Sequence, residues 1–137
     1  MRTLFIIPLV LMSLVSFPSW GETIDDLVER DGLYYKKFTD TPFTGTVEGK
    51  KQGLVKNGVK QGQWMGFWEN GQLNFKGSYK NGEMEGLWIR YWEEGDLMAK
   101  GSYKNGKMDG RWVWFEPYGS VAKDLTGMFI NGVKVSD

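Results

Sequence analysis

The fold is decided by one stretch of the chain, which runs Lys80-Asn81-Gly82-Glu83-Met84-Glu85-Gly86-Leu87-Trp88-Ile89-Arg90-Tyr91-Trp92-Glu93-Glu94-Gly95-Asp96-Leu97-Met98-Ala99-Lys100-Gly101-Ser102-Tyr103. Related copies begin at Lys56 and Lys104, so the stretch recurs with a period of 24 residues. A fixed period in this range is typical of repeat arrays, in which each unit packs on its neighbours. The sequence therefore predicts a repeat architecture.

The regular copies align column by column. Each copy has a tryptophan and a second aromatic early on, and a glycine and another aromatic near its end. The columns are Trp64, Trp88 and Trp112; Phe67, Tyr91 and Phe115; Gly77, Gly101 and Gly127; and Tyr79, Tyr103 and Phe129. The third copy has two extra residues near Lys123 and Asp124. Since strand side chains alternate with period 2, we expect Phe129 to stay on the face used by Tyr79 and Tyr103.

Turn chemistry places two chain reversals in each copy. Asn70-Gly71 suits a tight type I′ hairpin turn, and residues 81–86 are predicted to form a wider loop. Each copy is then a β-hairpin, and successive hairpins pair edge to edge. The fold class predicted is all-β: a single curved antiparallel sheet over residues 33–137. The expected units are a degenerate first repeat at 33–55, regular repeats at 56–79, 80–103 and 104–129, and a terminal strand at 130–135.

The first strand of each copy is apolar on both faces. Trp64 and Trp68 share one parity, whereas Met65 and Phe67 share the other. One face of the sheet is therefore expected to be a dense core, and the other a ribbon of tryptophan interleaved with charged residues. The glycine column inside the second strands predicts sharp curvature or the close approach of an aromatic ring.

The beginning of the chain has the pattern of a signal peptide over residues 1–21. Arg2 precedes an apolar run from Leu4 to Val15, and small residues flank Trp20. We expect cleavage after Gly21 and export to the periplasm or the medium of a bacterium. The run is too short for a stable membrane span, but an uncleaved membrane anchor is the alternative.

Residues 22–32 are predicted to form a short helical cap. Thr23 can act as the N-cap, and Asp25 and Asp26 suit the positive end of a helix dipole. Ile24, Leu27 and Val28 would lie on one face of such a helix. We expect this helix to cover the first strand of the array.

Composition excludes several classes of function. The chain has 17 basic and 17 acidic residues, so it lacks the basic surface expected of a protein that binds nucleic acid. It contains no histidine and no cysteine, which excludes disulfides, thiol nucleophiles and Ser–His–Asp triads. Glu69, Glu93 and Glu116 form a repeated ladder that is typical of a solvated edge. We predict no catalytic residue, metal site or cofactor, and the protein is not expected to be an enzyme.

The candidate binding residues come from the repeated apolar columns. They are Trp64, Trp88, Trp112, Trp68 and Trp92, with Met84 and Met108 at the loops. A row of aromatic rings can bind a partner chain, a glycan or a headgroup, because such rings offer a large contact area at low entropic cost. The alternative is that the rings form the core, in which case Met84 and Met108 are the better place for a contact surface.

One segment of the repeat resembles a known family. Gly101-Ser102-Tyr103-Lys104-Asn105-Gly106-Lys107-Met108-Asp109-Gly110 is similar to the core of a MORN repeat, in which Lys-Asn-Gly follows an aromatic and a second glycine comes four positions later. The whole unit resembles the bacterial MORN-variant family with YwqK-type repeats, often labelled an antitoxin component. Trp64, Trp88 and Trp112 stand where eukaryotic MORN proteins have glycine.

These patterns predict an exported, non-enzymatic repeat module that binds a protein partner through its curved aromatic sheet. A module for glycans of the cell wall or for lipid headgroups is the alternative, since aromatic and Asn-Gly repeats also occur in choline-binding modules. The family resemblance implies a third function, which is antitoxin-like neutralisation of a partner protein.

Overall fold

The computed structural model describes residues 21–137, and these residues form almost entirely β-structure. The strands are β1 Glu22–Thr23, β2 Leu27–Arg30, β3 Leu33–Lys36, β4 Gly45–Glu48, β5 Lys51–Lys56, β6 Val59–Phe67, β7 Leu73–Lys80, β8 Glu83–Tyr91, β9 Leu97–Lys104, β10 Lys107–Trp114, β11 Gly127–Ile130 and β12 Val133–Ser136. Within residues 21–137, no helix is long and apolar enough to span a membrane. The predicted signal peptide lies, apart from Gly21, outside the described residues.

Ten strands form one sheet in the order β1-β4-β5-β6-β7-β8-β9-β10-β11-β12. From β4 onward each strand pairs antiparallel with the next in sequence, so the predicted sheet of consecutive hairpins is confirmed. β1 pairs parallel with β4 and forms the edge of the sheet opposite β12. β2 and β3 form a separate two-stranded sheet.

The predicted assignment of tight and wide turns was wrong, because the two are reversed. Asn81 and Gly82, with φ of 51° and 84°, form the two-residue connection between β7 and β8. Both residues have the positive φ that a type I′ turn requires. Residues 83–86, predicted as loop, belong to β8. The wider connection is 68–72, where only Gly71 has positive φ and Trp68 N–H donates to the Gln72 carbonyl at 2.8 Å.

The N-terminal helical cap was also a wrong prediction. A single 3-10 turn spans Ile24–Asp26, and β2 then pairs with β3. Thr23 and Asp26 contact each other across this turn, with Thr23 N–H and Oγ1 donating to Asp26 Oδ2 at 2.9 and 2.7 Å. A helix this short is marginal in water, whereas the hairpin pairs the backbone of both strands. The first predicted repeat, 33–55, is therefore divided between the two sheets.

The sheet is held together by the tryptophan column. Trp64, Trp88 and Trp112 are 1%, 3% and 0% exposed. Each indole Nε1–H donates to a carbonyl ten residues earlier, at Leu54, Ser78 and Ser102, over 3.0, 3.1 and 2.9 Å. The polar atom of each buried ring is thus satisfied, which removes the cost of burying an unpaired donor.

Each of these rings lies over the glycine of the preceding strand. A Cβ atom at Gly77 would overlap the ring of Trp88, and one at Gly101 would overlap the ring of Trp112. The predicted approach of an aromatic ring is therefore confirmed at these two positions. Gly127 differs, because a Cβ atom there would meet the backbone carbonyl of Ser136.

Tyrosines bridge successive tryptophans. Tyr79 contacts Trp64 and Trp88 edge-on, with ring centroids 6.1 and 5.3 Å apart. Tyr103 contacts Trp88 and Trp112 in the same way at 5.8 and 5.0 Å. Such pairs contribute about 0.5–1.5 kcal/mol each beyond the area they bury. The core is thus one continuous ladder of rings along the array.

Two ends of the array are finished differently. At the N-terminal end, Leu27 and Tyr34 of the β2–β3 hairpin pack on the cluster around Trp64. At the C-terminal end, the third copy replaces half a strand by a loop, in which the buried Thr126 hydroxyl accepts a hydrogen bond from Trp114 N–H at 2.9 Å. Phe129 pairs with Gly110 as Tyr79 pairs with Gly62. This confirms the prediction that the two extra residues leave Phe129 on the face used by Tyr79.

Candidate functional site

The large sheet presents two chemically different faces. Directly paired residues share a face and neighbours along a strand alternate. Trp64, Trp88 and Trp112 therefore lie on one side, which we call the Trp face. Ile89 pairs with both Lys76 and Lys100 on the other side, which we call the Lys face.

The predicted tryptophan row is inside the protein. The burial of Trp64, Trp88 and Trp112 leaves almost no ring surface for a partner, so the alternative of a core describes them. Trp68 and Trp92 are half-buried beside the wider turns. Trp68 Nε1–H donates to the Tyr91 carbonyl of the next copy at 3.1 Å, whereas Trp92 Nε1 is buried without a hydrogen-bond partner.

The two candidate methionines lie on the Trp face. Met84 pairs with Tyr79, and Met108 pairs with Tyr103. Both side chains are half-buried and pack against the cluster of Trp88 and Trp112. Their flexible thioethers fill the space between aromatic rings, and this is a packing role.

Lys60 occupies the equivalent position in the preceding copy. Its Nζ lies 4.8, 5.0 and 5.5 Å from the ring centroids of Trp64, Tyr79 and Tyr34. Burial lowers the pKa of Lys60, and the positive charge of Lys51 acts in the same direction. Burial likewise raises the pKa of the Tyr79 hydroxyl. The Trp face thus holds a cation against aromatic rings rather than presenting it to solvent.

The Lys face carries two clefts that are related by the repeat. The first, of about 290 Å³, is lined by Lys76, Ser78, Leu87 and Ile89 among others. The second, of about 320 Å³, is lined by Lys100, Ser102, Arg111 and Val113 at positions 24 residues later. Leu87 belongs to both clefts and is 53% exposed. The clefts therefore recur with the same 24-residue period as the strands.

Three basic side chains line the two clefts. Lys76, Lys100 and Arg111 are exposed, and none of them takes part in an ion pair among residues 21–137. Glu85 lines the first cleft, but its Oε2 accepts the Asn105 N–H at 3.0 Å and so anchors the next turn. Three unpaired cations beside apolar walls suit a ligand that carries carboxylates or phosphates.

The sequence alone did not identify these clefts. The available signal was the column of Lys76 and Lys100, which lies one residue before the glycine column. Alternation along the strand put these lysines on the face opposite the rings, but the register that brings Ile89 and Leu87 beside them depends on a bulge between Lys76 and Ser78.

The described residues offer no constellation for catalysis by a metal. Across residues 21–137, no group of three or more acidic side chains is close enough to hold a metal ion. Glu69, one of the repeated glutamates, forms an exposed ion pair with Lys50. These side chains are arranged as a solvated edge.

Comparison with known proteins supports the repeat assignment. The family model described as MORN repeat variant matches residues 60–81 and 84–105. A search of curated proteins found no match. The matched segments contain the buried Trp64 and Trp88, Asn81 of the tight turn and the lysines of both clefts. Two adjacent units of this chain are therefore similar to the MORN repeat variant.

Proposed function

We propose that this chain is an exported, non-enzymatic scaffold that binds a protein partner through the Lys face of its repeat sheet. The observation that carries the proposal is the pair of repeat-related clefts, at Lys76 and Lys100, on a face with unpaired cations. Neighbouring weak sites on a rigid sheet favour a ligand that engages both, because the second contact forms at high effective concentration.

A protein fits this surface better than a glycan does. Glycan recognition through a tryptophan row needs exposed ring faces, and those rings are buried here. The Lys face instead alternates cations with the aliphatic side chains of Met65, Ile89 and Val113. Apolar contact flanked by charge is the usual composition of a protein interface.

Anionic lipid headgroups are the second candidate. The same unpaired cations, with Leu87 exposed between them, favour a negatively charged membrane surface. Co-sedimentation with vesicles of phosphatidylserine and phosphatidylcholine tests this function. Vesicle binding by the wild type that is lost in a Lys76→Glu/Lys100→Glu variant, with no protein captured from cells, would assign the Lys face to lipid.

The test of the proposal is capture of a partner from the chain's own host cells. Full-length protein and its Lys76→Glu/Lys100→Glu variant are tagged, expressed and compared, with Lys37→Glu/Lys56→Glu as the control of equal charge. We expect captured proteins to be lost only with the cleft variant. Equal capture by all three proteins would overturn the proposal.

Mass spectrometry of the purified chain tests export, for which we expect Glu22 as the first residue.

Antitoxin-like neutralisation would be one form of the same binding function. It requires that the captured protein be toxic when expressed alone, and that co-expression of this chain restore growth. The cleft variant would then fail to restore growth, while the control variant would succeed.

A further inference from the structure

The spacing of the two clefts restricts the conformation of what binds there. Lys76 on β7 and Lys100 on β9 both pair with Ile89 on β8, so the three residues form one row across the strands. Neighbouring strands lie about 4.8 Å apart, which separates the two lysine positions by about 9.6 Å. The row runs across the strands, and a ligand that contacts both lysines must cross the sheet in that direction.

Only some backbone conformations place equivalent side chains at that distance. In a polyproline II helix, residues three apart lie on one side and are about 9.3 Å apart. In a β-strand, side chains on one side are about 6.6 Å apart at residues i and i+2, and about 13 Å apart at residues i and i+4. The polyproline II spacing matches the two lysine positions, and the β-strand spacing does not.

The chemistry between the lysines fits the same ligand. Ile89 lies on β8 between Lys76 and Lys100, and Leu87, two residues earlier on the same face, pairs with Ser102. They offer an apolar surface for one of the two residues between successive charges, because the three sides of a polyproline II helix point in three different directions. Phe115 lines the second cleft, and aromatic residues are common in grooves that bind proline-rich segments.

We propose that the Lys face binds a polyproline II segment of a partner protein with an acidic residue at every third position and proline between them. One carboxylate pairs with Lys76 and the next with Lys100, while one of the two intervening prolines packs on Leu87 and Ile89. This inference rests on the proposed function and adds the chemistry of the partner.

The experiment compares two labelled peptides of the same composition by fluorescence anisotropy. The first contains four copies of Glu-Pro-Pro, and the second contains the same four glutamates in one block flanked by prolines. The proteins are the wild type, Lys76→Glu/Lys100→Glu and the control Lys37→Glu/Lys56→Glu. Neither Lys37 nor Lys56 lines either cleft. Urea unfolding midpoints establish that all three proteins are folded.

We expect the wild type to bind the periodic peptide at least about fivefold more tightly than the block peptide, because only the periodic one engages both clefts at once. The cleft variant should bind the periodic peptide at least about tenfold more weakly, since two charge-assisted contacts become repulsive. The control variant should stay within about twofold of the wild type, and added salt should weaken binding.

Two results would overturn this inference: equal affinity for the two peptides, or unchanged affinity of the cleft variant for the periodic one. Either result is distinct from failure of the proposed function, which is measured by capture of a partner from cells. If capture depends on Lys76 and Lys100 while the peptides bind equally, the spacing argument fails and the scaffold function stands. If capture is the same for all variants, the scaffold function itself fails.

Discussion

The two faces of the sheet share a 24-residue period but use it differently. On the Trp face the repeated side chains contact one another, so Trp64, Tyr79, Trp88, Tyr103 and Trp112 form a continuous ladder. On the Lys face the repeated Lys76 and Lys100 are exposed, and each lines a cleft. One 24-residue period therefore encodes the packing of the core on one face and a set of equivalent clefts on the other.

The largest expected effect on stability distinguishes the two faces at two adjacent residues, Leu87 and Trp88. Trp88→Ala should lower the free energy of unfolding by about 3–5 kcal/mol, because it opens a cavity in the core and removes a satisfied indole. Its neighbour Leu87 is 53% exposed on the other face. Leu87→Ala should therefore cost less than about 1 kcal/mol.

Urea unfolding of both variants, followed by circular dichroism, measures this difference. Similar losses for the two variants would contradict the assignment of Trp88 to the core and Leu87 to a contact surface. A small loss for Trp88→Ala would restore the tryptophan row as a candidate binding surface.

The second comparison concerns adjacent residues of β9. Gly101→Val places a branched side chain against the ring of Trp112 and should destabilise the protein by at least about 2 kcal/mol. Lys100 is exposed on the opposite face, and valine suits a strand. Lys100→Val should change stability by no more than about 0.5 kcal/mol. Thermal melting points of the two variants test the alternation, and equal melting points would refute it.

The smallest expected effect concerns the cation held on the Trp face. Because burial lowers the pKa of Lys60, folding disfavours its charged form. Between the lowered pKa and the ordinary value of 10.5, the unfolded chain binds more protons, so this residue makes stability rise with pH. Lys60→Met, which reproduces the residue at Met84 and Met108, removes that contribution.

The Lys60→Met variant should therefore exceed the wild type in stability most at pH 7. The difference in their free energies of unfolding should shrink as the pH approaches 10. Urea midpoints of both proteins at pH 7, 9 and 10 measure the change. A difference that is independent of pH would show that Lys60 carries no burial penalty in the folded state.

Much of the fold follows from the sequence because the repeat supplies the same information several times. The period predicts the hairpin array, and the glycine column predicts the contact of Gly101 with an aromatic ring. Local patterns failed where two structures satisfied them. Asn-Gly occurs at residues 70–71 and 81–82, and only the pairing of the strands shows which pair is the tight turn.

The N-terminal segment and the clefts show the same limit. Ile24, Leu27 and Val28 satisfy a helical pattern, but Leu27 and Val28 pair with Lys36 and Tyr35 in a hairpin. The clefts depend on the register between strands and on a bulge beside Gly77, neither of which is written in one strand. The sequence therefore predicted the residues on each face better than the shape between them.

The position of each tryptophan over the glycine of the strand before it has a consequence for how such a protein grows. A ring at the start of one unit fits a gap left by the previous unit, so every junction between units is made from the same two parts. Duplication of 24 residues in the gene would insert a unit that fits on both sides without a new contact having to arise. Each duplication would lengthen the sheet by about 10 Å and add one cleft. The number of repeats in the gene would then set the length of the binding surface.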